Sequence, residues 1–344
     1  MRKQFVSFQA AVITLLILAQ GASAHVPVGG EPGSSLDTAL EIEDPLKSWV
    51  MYHELHEAGE AHYYTFDMSA GDRLRLILNL PAELAASAFR PILVLIGPGI
   101  ANITPAPDYL EIPQGSGYVI YNEHSLHQEY EGFTPSAFFE ILDIDTPVPE
   151  TGIYYLAIYD ETEHERYALA IGFQEEFTFD EWILVAFNVI TIHLWEGQLI
   201  LAILSPWLIT LILGIIFYSR RGKEKGIEND ALTWAGVISG LLFIGSGLAL
   251  LYQMFWALLQ VTANSQVIVT LLFASFPILI GIATLRALKT GWKNDSSSIL
   301  KLALFSGLAV FTWSGLIVGP TLLLLVSIVG FVRREKTPVQ AMPT

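Results

Sequence analysis

From Asp180 the chain reads "DEWILVAFNVITIHLWEGQLILAILSPWLITLILGIIFYSRRGKEK", apolar over about 37 residues and broken only at Glu196-Gly197. A bilayer core is crossed by about 20 helical residues. The run therefore divides into a helix lying at the outer membrane surface, residues 177–197, and a first spanning helix, residues 198–218. Trp182, Trp195 and Trp207 suit the interface or its vicinity. Further apolar runs cover 231–258, 266–286 and 299–332. The last is too long for one upright helix, so length alone allows one tilted helix or a tight hairpin turning near "WSGLIVGP". Charge separates the two. Arg220, Arg221, Lys223 and Lys225 follow the first span, which puts that end in the cytoplasm. Two more crossings return the chain to Arg286, Lys289 and Lys293, and Arg333, Arg334 and Lys336 close the sequence with the same signature. An even number of crossings between 299 and 332 satisfies this. The expectation is an all-α bundle of about five spans, the last two at 299–314 and 316–332, with a cytoplasmic tail at 333–344.

The half that precedes this run differs in charge. Residues 25–185 carry −23 and residues 186–344 carry +5, within a chain of 344 residues whose net charge is −16. So anionic a soluble half repels phosphates, which argues against a nucleic-acid partner. There is no cysteine, which excludes disulfides, thiolate nucleophiles and Cys-ligated metal. "MRK", the apolar "FQAAVITLLILAQ" and "GASA" have the pattern of a signal peptide over residues 1–24, with an uncleaved anchor as the other reading. Cleavage there would make His25 the first residue.

Residues 25–46 read as an arm into a domain spanning 47–176. Period-two alternation then takes over. His62, Tyr64, Phe66 and Met68 share one face, "SAGD" makes a turn, and Leu74, Leu76 and Leu78 alternate with Arg73, Arg75 and Ile77. "RPILVLIGPGI" reads as a buried strand and "AFFEIL" as a short one. "TGIYYLAIYD" and "RYALAIGF" read as a final pair joined by "ETEHE". Many short strands without an amphipathic helix indicate an all-β antiparallel sandwich.

"GEAHYYTFDMSAGDRLRLIL", followed some 70 residues later by "TGIYYLAIYDETEHERYALAIGF", resembles the bacterial pre-peptidase C-terminal (PPC) domain. The resemblance covers roughly residues 36–175. It implies a jelly-roll-like sandwich acting as an accessory binding or stabilising module, with no catalytic residues to carry over. The segment from Ile100 to Thr134 departs from the pattern as an insertion and leaves the strand order open.

The expected spans hold no Asp, Glu, Lys or His near their centres, which weighs against proton-coupled transport or intramembrane proteolysis. "SGLLFIGSG" and "SGLAVFTWSG" place small residues for close helix approach, within the bundle or toward a membrane-protein partner. All eight histidines fall on the outer side or at its edge. His53 and His56 are three apart, as are His124 and His127, and glutamates flank most of them. With His25 and His62 they are candidate copper or zinc ligands. The same residues also read as a solvated acidic turn, and His62 as a core-edge residue. The acidic clusters "DYLEI", "EHSLHQEYE", "ILDID" and "DETEHE" are calcium candidates or simply wet surface, without an EF-hand loop. No Gly-x-Ser-x-Gly motif or phosphate loop is present.

The sequence thus describes a multi-pass cell-membrane protein in contact with the lipid bilayer, its sandwich outside and its C-terminus in the cytoplasm. The preferred function is non-enzymatic ligand or partner binding outside the cytoplasm. Outer-face copper or zinc handling is the first alternative. An enzyme site at the membrane surface near His193, Trp195 and Glu196 is the second.

Overall fold

The computed structural model describes residues 26–102 and 110–335. The expected signal peptide, His25 and most of the expected cytoplasmic tail lie outside the described residues.

Eleven strands form two sheets. They are β1 (Val26–Pro27), β2 (Leu40–Glu41), β3 (Trp49–Glu54), β4 (Ala61–Met68), β5 (Arg73–Pro81) and β6 (Ile92–Gly97). Then come β7 (Gly117–Tyr121), β8 (His127–Glu131), β9 (Ser136–Pro147), β10 (Gly152–Tyr159) and β11 (Arg166–Ile171). The first sheet runs β1-β3-β11-β5-β9-β8 and the second β2-β4-β10-β6-β7. Their facing sides share one core, in which Tyr64 and Phe66 of β4 meet Leu74, Leu76 and Leu78 of β5 and Leu169 of β11. The alternation legible in the sequence is this inward face. On the opposite face of β5, Arg73 grips Asp145 of β9 (2.8 and 2.5 Å) and Arg75 reaches Asp143 (3.2 Å).

Four expectations are corrected here. The arm does more than lead in, since its β1 and β2 pair in parallel with β3 and β4. The insertion between Ile100 and Thr134 supplies β7 and β8, one edge of each sheet. "AFFEIL" is part of a twelve-residue strand, β9. The supposed final pair, β10 and β11, lies in opposite sheets. Crossing the roughly 10 Å between packed sheets takes a shaped loop rather than a two-residue hairpin turn. Asp160 shapes it, accepting the amides of Thr162 and Glu163 at 3.0 Å each and that of Arg90 at 2.9 Å.

Six α-helices follow among the described residues: α1 (Phe179–Trp195), α2 (Ile200–Arg221), α3 (Ala231–Leu258), α4 (Val267–Ala287), α5 (Ser296–Phe311) and α6 (Val318–Glu335). Three of them, α2, α3 and α4, are long and apolar enough to cross a membrane. Small residues let α3 and α4 touch. A Cβ on Gly247 would lie 2.4 Å from the Ala274 carbonyl, and one on Gly281 would lie 2.6 Å from that of Gly240.

The helical layer has two distinct ends. At one, Lys293 joins Glu228 (2.7 Å) and Asp230 (2.6 Å) at the start of α3, and Arg334 of α6 meets Ser296 of α5. α5 and α6 are thus a hairpin whose two outer termini sit together. Its turn holds Trp313, Leu316 and Ile317 at positive φ (46°, 54° and 63°), a strained backbone for residues with a Cβ. Ser246 steadies it by accepting the Gly315 amide at 2.7 Å.

The sandwich sits on the other end. Helix α1, expected as an interfacial helix, packs against the first sheet. A capping box of Thr178 and Glu181 starts it, and Glu181 pairs with Lys47 of the sandwich at 2.7 Å. Its Val185, Ile192 and Trp195 are buried. Trp195 covers Val50, Ala168 and Ala170 on the outward face of the first sheet. At β3 and β11 the sheet is therefore covered by apolar groups on both faces, which explains why "RYALAI" shows no alternation.

Candidate functional site

The predicted histidine ligands separate in the fold. His56 is exposed, while its backbone amide is held by Glu60 at 2.6 Å. His124 Nε2 meets the Pro91 carbonyl at 3.0 Å, and the exposed His127 meets Glu129 at 3.0 Å. His25 lies outside the described residues. Among the described residues no three His, Asp or Glu side chains converge as a metal site would.

His53 and His62 do come together, but around tyrosines. His53 Nε2 contacts the Gly30 carbonyl at 2.9 Å and its Nδ1 the Tyr64 hydroxyl at 2.7 Å. Tyr64 and Tyr167 hydroxyls lie 2.7 Å apart. The Tyr167 hydroxyl is 2.7 Å from His62 Nδ1, and His62 Nε2 is 3.2 Å from Glu60. The chain ties β3 and β11 of one sheet to β4 of the other. Burial, the largest influence, lowers the pKa of both imidazoles, and the Glu60 carboxylate partly restores His62. Burial also drives Tyr64 and Tyr167 upward, so both keep their protons.

A second constellation lies where the sandwich meets the helices. Glu131 of β8 begins a tight turn, accepting the amides of Phe133 (2.7 Å) and Thr134 (2.6 Å) and the Thr134 hydroxyl. Burial pushes its carboxyl above the usual range. The turn projects Phe133 edge-on to Phe273 of α4 and to Trp313, with ring centres 5.1 Å away in each case. Tyr130 bonds Thr270 at 2.5 Å, Thr270 donates to the Gly132 carbonyl at 2.6 Å, and Gln266 receives the Gly132 amide at 2.8 Å.

Glu196, the residue that ends α1, closes the junction. It is 4% exposed. The Ala137 amide donates to its Oε1 at 2.7 Å, while His193 Nδ1 (2.7 Å) and Gln198 Nε2 (3.2 Å) approach its Oε2. Gln198 in turn donates to Gln253 of α3 at 2.8 Å. Gly197, at φ 85°, lets the chain reverse here in a conformation costly to a residue with a Cβ. With Nδ1 turned to the carboxylate, His193 directs Nε2 the other way. That atom is buried and has no partner.

Two cavities flank this polar knot. The larger, about 330 Å³, lies between the outward face of the first sheet and α1, against Tyr52, Glu131 and Trp195. The smaller, about 80 Å³, lies between α1 and the bundle, against His193, Trp207 and Gln253. Phe133, Thr134, Val185 and Val189 belong to the walls of both.

The chain matches no protein-family model, and no curated protein is similar to it.

Sequence reasoning singled out His193, Trp195 and Glu196, and the structure brings them together. Glu131 and Gln198 were missed. Glu131 carried no distinguishing signal inside "EHSLHQEYE", because its role depends on the turn that follows it.

Proposed function

We propose that this protein is a membrane-anchored binding protein whose ligand site lies at the junction of an extracytoplasmic sandwich and a helical bundle. One observation carries the reading. The smaller cavity, which shares four wall residues with the larger, is lined by His193 and Gln253, whose Nε2 atoms are buried without a partner. Buried polar groups are normally paired, and a concave, mostly apolar chamber with a few convergent polar atoms is the usual form of a small-molecule site. The interlocked junction also supports transmission, since any shift of the Phe133 turn bears directly on α4 and on the strained turn between α5 and α6.

An enzymatic reading has the His193–Glu196 pair in its favour, because a carboxylate-oriented imidazole is half of a triad. The serine beside it favours binding instead. Ser246 already receives N–H groups from Gly315 and Trp207 and donates to the Leu242 carbonyl.

In this reading α2 to α6 are five crossings. Support comes from the separation of the two ends: Lys293 and Arg334 gather at one, and the acidic sandwich occupies the other. A protease added to intact cells should cut between residues 26 and 180, and a tag at Thr344 should stay protected. Accessibility of that tag from outside would overturn the orientation. The PPC-like jelly roll belongs to the same proposal, supported by the β4–turn–β5 unit that the resemblance marks.

Native mass spectrometry of the full chain, released from its own membranes in mild detergent, tests the binding reading. The parent protein should carry a bound small molecule, and Asn188→Trp, which fills the larger cavity from α1, should lose it. Ligand-free protein from native membranes, together with no response of its unfolding temperature to a broad small-molecule screen, would remove the reading.

A further inference from the structure

Resting on that reading, we infer that the ligand is an organic ammonium ion and that the chamber between the first sheet and α1 is its receptor. The walls combine the two features that recognise such ions. Tyr52 and Trp195 stand 5.1 Å apart between ring centres, tilted by 58°, and Phe138 and Phe177 extend the aromatic lining. Faces of aromatic rings attract cations, most strongly where water is excluded. Glu129, Glu131 and Glu140 supply carboxylates to the same walls.

The balance of charge lacks a cation. Among the described residues Arg75 is the one Lys or Arg in the lining; Asp143 engages its Nη2 at 3.2 Å, and its Nε is buried without a partner. Glu131 is held by amides and a hydroxyl. Burial raises the pKa of both Glu131 and Glu140. Behind the chamber wall, His193 is 2% exposed and its Nε2 has no partner. Asn79 Oδ1, in the chamber itself, is an unpartnered acceptor. An anion would face three carboxylates here. A neutral apolar molecule would leave the Asn79 acceptor unpaired. An ammonium group, alkylated or free, answers both the rings and the carboxylates.

Calorimetry on the full chain in a nonionic detergent decides the matter with two probes of one shape. Choline should bind saturably, and 3,3-dimethylbutan-1-ol, its neutral isostere, about tenfold more weakly or not at all. Glu131→Gln should weaken choline about tenfold and leave the isostere unchanged. Should that variant fail to fold, Glu140→Gln at the half-exposed edge should show the same selective loss. Dodecyltrimethylammonium competing with choline at lower concentration supports a lipid source for the ammonium group, whereas choline binding without that competition supports a soluble amine. Equal affinity for choline and its isostere, abolished by Asn188→Trp, would overturn the cation and leave the binding site standing. Absence of binding by either probe would also overturn it, and the mass-spectrometric result then judges the site independently.

Discussion

Glu196→Ala should cost about 3 kcal/mol or more, because each buried donor it leaves unpaired costs about 1–3 kcal/mol. Three donors converge on this carboxylate, from β9 (Ala137), α1 (His193) and the link into α2 (Gln198). Alanine strands all three, and water cannot reach them without opening the junction. Glu196→Gln separates charge from shape. Its oxygen can keep the Ala137 amide, and its amino group can face His193 if the imidazole changes tautomer, but the Gln198 amide then loses its acceptor. A smaller loss of about 1–3 kcal/mol follows, the cost of one orphaned group. Lys47→Ala, which removes the more accessible pair with Glu181, should cost about 1 kcal/mol or less. Thermal unfolding of the full chain in detergent, followed by tryptophan fluorescence, ranks the three. Limited proteolysis of residues 175–178 should quicken in Glu196→Ala alone. Equal unfolding temperatures for Glu196→Ala and the parent would show that this carboxylate does not hold the two parts together.

Such a junction was only partly legible in the sequence. Alternation revealed β4 and β5 because one face of each is core and the other is not. It failed at β11, whose Ala168 and Ala170 face α1 while Leu169 and Ile171 face the sandwich core. Periodicity reports a difference between faces and falls silent when both are covered. Strands β7 and β8 are five residues each at the sheet edges, β8 largely polar and β7 too short for a pattern, so their pairing rests on β6 and β9. The helices were legible almost to the residue because hydrocarbon demands a long apolar run, and Asp230 and Asp295 mark the starts of α3 and α5 as side-chain caps. The site was legible only as a suspicious cluster, His193, Trp195 and Glu196. Its completion by Ala137 and Glu131, some sixty residues away, depends on how the sandwich docks. That docking follows from the turn at Phe133, which has no signature before the fold exists.

Acid should weaken the sandwich as pH falls below about 6.5, the ordinary histidine value, and the histidines of β3 and β4 should carry the loss. With both imidazoles neutral and Glu60 ionised, His53, Tyr64, Tyr167 and His62 each bring one proton. The chain from the Gly30 carbonyl to Glu60 contains five contacts. Four protons cannot fill five bonds, so one contact is unfilled, and a proton added to close it charges an imidazole that burial disfavours in that form. A further proton would place a second cation beside the first, since the two imidazole rings lie 6.2 Å apart. Burial holds both folded imidazoles below their unfolded pKa. Stability is therefore complete above the unfolded value and declines as pH drops toward the folded one, because the unfolded chain takes up protons first. Each unit of depression contributes about 1.4 kcal/mol. Glu131, with its pKa raised by burial, acts in the opposite sense, so its stabilisation grows in acid and cannot produce the loss. Unfolding temperatures at pH 7 and pH 5 isolate the effect. The double variant His53→Gln, His62→Gln should be less stable at pH 7, having lost good partners for both tyrosines, yet should fall less between the two pH values than the parent. If parent and variant lose equal stability between pH 7 and pH 5, the titration lies elsewhere and the five-contact chain is a static clamp between the sheets.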